Sequence, residues 1–317
     1  MHAVFLDWES IDNRDLDQQC LQALPVDWTF HPATTSAQLA SRLRGCEIVV
    51  SNKVLLDAAA IRAAQDLQLI CVAATGTNNV AMQAATERKI PVCNVRGYAT
   101  PSVVQHVFML MLNLLRRLPD YTRALRNGRW QHSEHFCFLD YTIEELAGKT
   151  LGIIGFGELG QAVAQMAEHF GMRVRVAQRL HGAAQAGRVP MRELLAEVDV
   201  LSLHCPLTDE TRGLIGEYEL SLMKPSAILI NTARGGIVDE SALLAAISNG
   251  SLGGAGMDVL QHEPPREANI LLQAELPNLI VTPHIAWASR QARQRLLAGI
   301  ADNVRAYLDG QPRNQVN

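Results

Sequence analysis

Two groups of residues in this chain have types and spacing suited to chemistry. The first is a glycine triplet. Gly155, Gly157 and Gly160 form Gly-x-Gly-x-x-Gly inside Leu-Gly-Ile-Ile-Gly-Phe-Gly-Glu-Leu-Gly at 151–160. An apolar run precedes it. After it, Val163, Met166, Ala167 and Phe170 recur at helical spacing. A strand, a glycine turn and a helix in that order can seat the pyrophosphate of a dinucleotide. The first glycine permits the tight turn, the second lets backbone approach the phosphates, and the third lets helix pack on strand. The helix start adds bare N–H groups and the positive end of its dipole. An ordinary strand-to-helix turn is the bland alternative.

The second group is Arg234, Glu263 and His284. Arg234 lies in Asn-Thr-Ala-Arg-Gly-Gly, just past the apolar run 228–230, where a sheet of this kind keeps its ligand. Its planar fork can grip a carboxylate and a neighbouring carbonyl oxygen at once, which a lysine cannot do. Glu263 lies in Gln-His-Glu-Pro-Pro after a strand ending at Val259, and His284 in Val-Thr-Pro-His-Ile-Ala-Trp. A histidine bonded to a buried carboxylate is fixed in one tautomer and favoured in its charged form. Such a group can protonate a developing alkoxide near neutral pH. Singly, Arg234 and Glu263 also read as solvated loop charges, and His284 as a core histidine.

The elements that must position these groups read as alternating strands and helices. Strands are expected at 4–6, 48–50, 69–73 and 91–92, with helices at 16–24, 57–64 and 79–86 between them. Such alternation implies a parallel sheet covered on both faces, with ligands beyond the strand C-termini. Two loops fall there: Ser51-Asn52-Lys53, and Thr75-Gly76-Thr77-Asn78-Asn79. The second could hold a carboxylate on bare N–H groups, or Asn78 could simply cap the helix. A long apolar-periodic helix is expected from Pro101 to Leu118, ended by Pro119 and bridging out of the first domain. The stretch 121–141 reads as irregular, aromatic and histidine-rich, a loop suited to packing on a partner subunit or a surface loop anchored by Trp130 and Phe138. From Thr150, strands are expected at 151–154, 172–177, 199–203, 226–230 and 253–257, with a last helix at 289–308 that could return to the first domain.

Composition narrows the class. The 317 residues suffice for two domains; 48% are hydrophobic and 19% charged, so a sizeable core can form. The net charge of −4, without a long basic run, argues against a nucleic-acid surface. No apolar run nears the ~18 residues of a membrane span, and the N-terminus lacks signal-peptide character. The six cysteines are widely spaced with no Cys-x-x-Cys, as expected of free thiols in a reducing cytoplasm. His132, His135 and Cys137 match no standard ligand spacing, so no metal is expected.

Taken together, ordered segments resemble the D-isomer-specific 2-hydroxyacid dehydrogenases over nearly the whole length. They are Gly-Phe-Gly-Glu-Leu-Gly at 155–160, His-Cys-Pro-Leu-Thr at 204–208, Met-Lys-Pro at 223–225, Asn-Thr-Ala-Arg-Gly-Gly at 231–236, Gly-Met-Asp-Val at 256–259, Glu-Pro-Pro at 263–265 and Thr-Pro-His at 282–284. Ser-Asn-Lys at 51–53, Thr-Gly-Thr-Asn-Asn-Val at 75–80, Phe-Leu-Asp-Tyr at 138–141, Glu-Leu-Ala-Gly-Lys-Thr at 145–150 and His-Ile-Ala-Trp-Ala-Ser at 284–289 look most like its glycerate dehydrogenase and hydroxypyruvate or glyoxylate reductase group.

The resemblance implies an α/β fold of two doubly wound parallel-sheet domains. One is a flavodoxin-like substrate domain (1–98 plus 288–317), the other a Rossmann NAD(P)-binding domain (99–287). It implies reversible reduction of a small 2-oxo acid, such as hydroxypyruvate or glyoxylate, to the D-2-hydroxy acid in a cytoplasmic homodimer whose domains close on the substrate. Arg234 would grip the 2-oxo acid, His284 supply the proton and Glu263 orient His284. Asn52, Lys53, Thr75, Gly76 and Thr77 would join Arg234 in binding substrate. Cofactor binding would fall to Gly155, Gly157, Glu158, Leu159, Gly160, Gln178, Arg179, His204, Pro206, Thr211, Thr232, Ala233, Arg234, Asp258, His284 and Ala286, with Asp258 on the nicotinamide side. Alternatives on related folds are a nucleotide-sensing binding protein like the C-terminal-binding-protein corepressors, and a formate or phosphite dehydrogenase.

Three departures from the family pattern stand out. Arg96 takes a place usually held by proline. Asn79-Val80-Ala81 lacks a common aspartate. The acidic residue usual at the end of the second Rossmann strand is replaced by Gln178-Arg179, 23 positions past Gly155. A carboxylate there binds the adenosine ribose 2′-hydroxyl; a neutral residue beside an arginine, with His181 two residues on, predicts NADP(H) over NAD(H).

Overall fold

A computed structural model describes residues 1–181 and 185–317. The chain opens with β1 (His2–Phe5), α1 (Gln19–Gln22), β2 (Asp27–Phe30), α2 (Ser36–Arg42), β3 (Ile48–Ser51), α3 (Ala58–Ala63), β4 (Leu69–Val72), α4 (Met82–Glu87) and β5 (Val92–Cys93). Two helices follow, α5 (Thr100–Leu115) and α6 (Leu118–Arg126). Then come β6 (Thr150–Ile154), α7 (Glu158–His169), β7 (Arg173–Ala177), β8 (Arg188–Val189), α8 (Met191–Glu197) and β9 (Val200–Leu203). The remainder is α9 (Glu217–Ser221), β10 (Ile228–Asn231), α10 (Glu240–Ser248), β11 (Gly254–Met257), α11 (Ile270–Gln273), β12 (Leu279–Val281) and α12 (Arg290–Leu308).

These elements form two compact units, one of Met1–Ala99 with Trp287–Asn317 and one of Thr100–Ala286. Among the described residues, the first holds a five-stranded parallel sheet ordered β2-β1-β3-β4-β5. Strands β3 and β4 read Ile-Val-Val-Ser and Leu-Ile-Cys-Val and are buried throughout, as parallel strands covered on both faces require. One face packs on α12 through Ala292, Leu296, Ile300 and Val304. The other packs on Leu39, Ile61 and Ala84 from α2, α3 and α4. Asp57 caps α3 by accepting from the Ala60 N–H, and Ser289 caps α12 by accepting from that of Ala292.

Among the described residues, the second unit holds a seven-stranded parallel sheet ordered β12-β11-β10-β9-β6-β7-β8. Its order reverses between β6 and β9, the switch point where a doubly wound sheet binds its ligand. Helix α5 packs on α7 and on β10, β11 and β12. Both units are parallel-sheet α/β structures, as the alternating pattern implied.

Several local expectations need correction. The helix expected at 16–24 shrinks to α1, because the Asp12 and Asp17 carboxylates accept from nearby backbone N–H groups and hold turns instead. The helix expected from Asn79 starts at Met82. Its N-cap is Ala81, not Asn78, and the Asn79 amide donates to the Val54 carbonyl at 3.1 Å. Pro119 does not end a helix; it sits in the first turn of α6, where no N–H is needed. The first part of the stretch expected to be irregular is therefore helical. Met166 and Phe170 are exposed, because the buried stripe of α7 is Gly160, Val163, Ala164 and Ala167. The edge strands β2, β8 and β12, too short or too polar to mark, add to the sheets.

Candidate active site

The glycine turn has a backbone shape that leaves room for an anion. Gly155 has φ +93°, and a Cβ there would lie 2.4 Å from the His204 carbonyl carbon. A Cβ on Gly160 would lie 2.2 Å from the Gly155 oxygen. At Gly157, by contrast, nothing lies within 4 Å of where a Cβ would stand. Gly157 is also the N-cap of α7 and offers no side-chain cap, so the first N–H groups of the helix stay open to an anion. The Glu158 carboxylate accepts from the Thr100 hydroxyl. The Thr232 hydroxyl, at the end of β10, is buried and has no hydrogen-bond partner among the described residues. These features fit a dinucleotide.

At the far end of β7, the Gln178 N–H donates to the Val189 carbonyl at 2.8 Å, and Arg179 is exposed. The Arg188 guanidinium stands 5.6 Å from the centre of the Phe156 ring, between the first two glycines. His181, expected to assist there, instead pairs with Glu210 at 3.2 Å. A neighbouring carboxylate opposes a second anion at that position. Thr211 shapes the loop after β9: its hydroxyl donates to the Pro206 carbonyl at 2.7 Å. The His204 Nε2 meets the Ser202 hydroxyl at 2.8 Å, and burial pushes this imidazole down to about 4.

Arg234, Glu263 and His284 come from three loops after β10, β11 and β12, all at the C-terminal ends of strands. Asn231 folds the first loop over itself. Its Oδ1 accepts from the Ala233 N–H at 3.0 Å, and its Nδ2 donates to the Arg234 carbonyl at 3.0 Å. Gly235 brings that loop against the second; a Cβ there would lie 1.7 Å from the Leu260 oxygen. Half-buried Arg234 donates from Nη1 to the Ala233 carbonyl at 2.6 Å.

The Glu263 carboxylate uses both of its oxygens. Oε1 takes the Leu260 N–H at 2.8 Å, and Oε2 meets His284 Nδ1 at 2.5 Å. With one oxygen anchored to backbone, the other is aimed at the imidazole. The side chains are 32% and 23% exposed, so the carboxylate is not the buried one expected from the sequence. His284 itself has φ +55°, a left-handed conformation that costs a side-chain-bearing residue about 1–2 kcal/mol. Its N–H donates to the Asp258 carbonyl at 2.7 Å.

The Asp258 side chain is fully buried. Oδ1 accepts from the Thr282 hydroxyl at 2.6 Å and the Ile285 N–H at 2.9 Å, while Oδ2 accepts from the Ala286 N–H at 2.8 Å. These contacts fix the segment that carries His284.

In the other unit, the Asp7 carboxylate holds the loop after β3 by accepting from the Asn52 N–H at 2.9 Å and the Lys53 N–H at 2.7 Å. Burial raises the Asp7 carboxyl above its ordinary value, and the N–H donors pull the other way. The Asn52 amide is buried and donates to the Ser10 hydroxyl at 3.0 Å. The loop after β4 is braced by buried Asn94, whose Nδ2 donates to the Thr75 carbonyl at 2.7 Å. The Thr75 hydroxyl donates to the Val95 carbonyl at 2.9 Å. Arg96 is exposed one residue further on. Among the described residues no cluster of His, Cys, Asp or Glu could hold a metal ion, and all six cysteines are free.

Sequence reasoning missed Asp7, Asn94, Asn231 and Thr282, whose hydrogen bonds set loop shape. The signal they share is a polar residue within two positions of a strand's C-terminal end.

Comparison with known proteins adds an independent line. The family described as D-isomer specific 2-hydroxyacid dehydrogenase, NAD binding domain, matches residues 108–286. A glycerate dehydrogenase of Methylorubrum extorquens is 46% identical over 314 residues, covering 99% of this chain and 98% of its own. A hydroxypyruvate reductase of Blautia hydrogenotrophica is 34% identical over 323 residues and covers 100% of both chains. Among solved structures, the TT0316 protein of Thermus thermophilus superposes with a TM-score of 0.88 at 35% identity, again covering 100% of both.

Proposed function

The chain belongs to the D-isomer-specific 2-hydroxyacid dehydrogenases, NAD(P)-linked oxidoreductases acting on CH–OH groups, and on that premise we propose that it reduces a small 2-oxo acid of the hydroxypyruvate or glyoxylate kind, with His284 as proton donor. The observation that carries this reading is the 2.5 Å contact between Glu263 Oε2 and His284 Nδ1. With the Nδ1 proton directed at a carboxylate, the transferable proton of the charged ring lies on Nε2. A bound reduced nicotinamide supplies the hydride that reaches C2 of the substrate. His284 gives its Nε2 proton to the oxygen on C2 as that oxygen gains charge, completing the hydroxyl, and Glu263 balances the imidazolium until then. Arg234 polarises the same C=O and grips the carboxylate with its two-pronged fork.

The same proposal seats the pyrophosphate on Gly155, Gly157 and Gly160 and the first turn of α7, with Glu158 and Leu159 at that turn. His204, Pro206, Thr211, Thr232, Ala233, Asp258 and Ala286 line the rest of the dinucleotide site at the sheet's C-terminal edge. It gives the substrate carboxylate to the N–H groups of Thr75, Gly76 and Thr77, with Asn52 and Lys53 on the same edge of their own sheet. Unit Thr100–Ala286 is thus the dinucleotide domain and the other the substrate domain. We read the protein as a cytoplasmic homodimer. Exposed Trp130, Phe136 and Leu139 offer an apolar contact to a second copy, and six free thiols suit a reducing compartment. The two catalytic relatives at full coverage leave the corepressor-like and formate or phosphite alternatives without support.

Steady-state turnover on a panel of 2-oxo acids tests the reading. His284→Ala should lower kcat about 10²- to 10⁴-fold, the range for a lost general acid, with cofactor affinity little changed. A variant keeping more than half of wild-type kcat would remove His284 from that role.

The finer proposal is a preference for NADPH over NADH. Exposed Arg179 and neutral Gln178 support it, and Arg188 adds a second cation near the glycine turn, while exposed His181 faces Glu210. A charge-assisted hydrogen bond is worth roughly 1.5–3 kcal/mol, so Arg179→Ala should weaken NADPH by about 10- to 150-fold and NADH far less. Michaelis constants for both cofactors decide it: equal losses, or a wild type that prefers NADH, count against it.

A further inference from the structure

Helix α5 does more than pack. Ser102 and His106 are one turn apart on it, and both reach the segment that carries His284. The Ser102 hydroxyl donates to the Ala286 carbonyl at 2.7 Å, and His106 Nε2 meets the Thr282 hydroxyl at 2.9 Å. The Thr282 hydroxyl spends its one proton on Asp258 Oδ1, at 2.6 Å. Its oxygen must therefore accept from His106, which places a hydrogen on His106 Nε2. Asp258 in turn takes the Ile285 and Ala286 N–H groups on its carboxylate and the His284 N–H on its carbonyl. A chain of hydrogen bonds thus runs from α5 through Thr282 and Asp258 to the backbone of His284. That backbone is held at φ +55°, a state that persists only where the surroundings over-determine it.

We propose that His106 is a positioning residue for the reduction: by donating from Nε2 to Thr282 it aligns Thr282 on Asp258 and so holds His284 at the geometry its proton transfer needs. This rests on reading His284 as the proton donor. Burial supports it from another side, lowering the His106 imidazole below its ordinary value despite nearby Asp258 and so favouring the neutral, single-donor ring. His106 Nε2 is 3.5 Å from Asp258 Oδ1, too far for a direct bond of the same strength, so Thr282 is the link. Displacement of a catalytic group by about 1 Å can cost 10²-fold in rate. A lost support of this kind should therefore be visible in kcat while ground-state binding is kept.

The test compares His106→Leu, which removes the donor, with His106→Gln, whose side-chain amide can place an N–H near the position of Nε2. Thr282→Val cuts the same link from the other side with little change of volume. Each is made in the full-length protein, alone and with His284→Ala. Expected results are a fall in kcat of about 10- to 100-fold for His106→Leu and Thr282→Val, KM for hydroxypyruvate and cofactor affinity within about twofold, and recovery of most of kcat in His106→Gln. In the His284→Ala background neither His106→Leu nor Thr282→Val should slow the enzyme further, because both act through His284. The inference is overturned if His106→Leu and Thr282→Val keep full kcat, if glutamine fails to rescue, or if the losses repeat undiminished in the His284→Ala background. An active His284→Ala single variant would instead overturn the reading of His284 itself.

Discussion

Arg234 shows how much a residue type alone can say. Its fork and its place after a strand were readable in Asn-Thr-Ala-Arg-Gly-Gly, and the structure puts it on a loop closed by Asn231 and pressed against Leu260 through Gly235. If the two-pronged grip matters, Arg234→Lys should lose a large part of kcat/KM towards 2-oxo acids although the charge survives. Near wild-type efficiency in the lysine variant would show that charge suffices. The Glu263–His284 contact was legible too, because each residue stands in a short, unusual segment. What the sequence could not convey was exposure: Glu263 is a third open, and its aim is set by the Leu260 N–H instead of by burial. His106 was hidden for the opposite reason. It lies inside an apolar helical run, where a histidine has no distinguishing neighbour in sequence, and its partner Thr282 is 176 positions away.

At the scale of elements, the strands of the two central sheets were the clearest signal, since buried parallel strands are continuous apolar runs. Helix ends were less so. Side-chain-to-backbone bonds from Asp12 and Asp17 shortened α1, and Pro119 opened a helix it was expected to close. The loop after β9 carries a prediction of its own. Burial holds His204 at about 4 in the folded protein, against an ordinary 6.5 when unfolded. Above pH 6.5 the ring is neutral in both states and costs nothing. As pH falls from 6.5 towards 4, the unfolded chain binds a proton that the folded chain refuses, so stability is lost across that window and the loss levels off below it. The most this can amount to is about 3 kcal/mol. The melting temperature should therefore drop on acidification from about pH 7 to about pH 5, and His204→Gln should flatten the drop. An identical acid dependence in the variant would assign it to other groups.

At the scale of the whole molecule, the sequence conveyed two α/β units, because the strand–helix alternation is broken by the long apolar helix α5. The unit boundaries lie at Ala99 and Trp287. Each unit buries its own apolar sheet, which accounts for the 48% hydrophobic composition.

The order in which the chain is made has a bearing on the first unit. One face of its sheet is covered by α12, which begins about 190 residues after Ala99. At a synthesis rate of about 5–20 residues per second, β1 to β5 would wait on the order of 10–40 s for that cover. Thr100–Ala286 is contiguous and can close its sheet while the earlier strands are still half bare. The N-terminal segment is thus made first and finished last, and during the interval its apolar face is open to chaperones and to other nascent chains. Protease challenge of ribosome-arrested chains of increasing length would reveal this. Residues 1–99 should become resistant only once α12 has cleared the exit tunnel, after 100–286 is already protected; resistance of 1–99 in chains stopped before Arg290 would show that the sheet does not need its last helix.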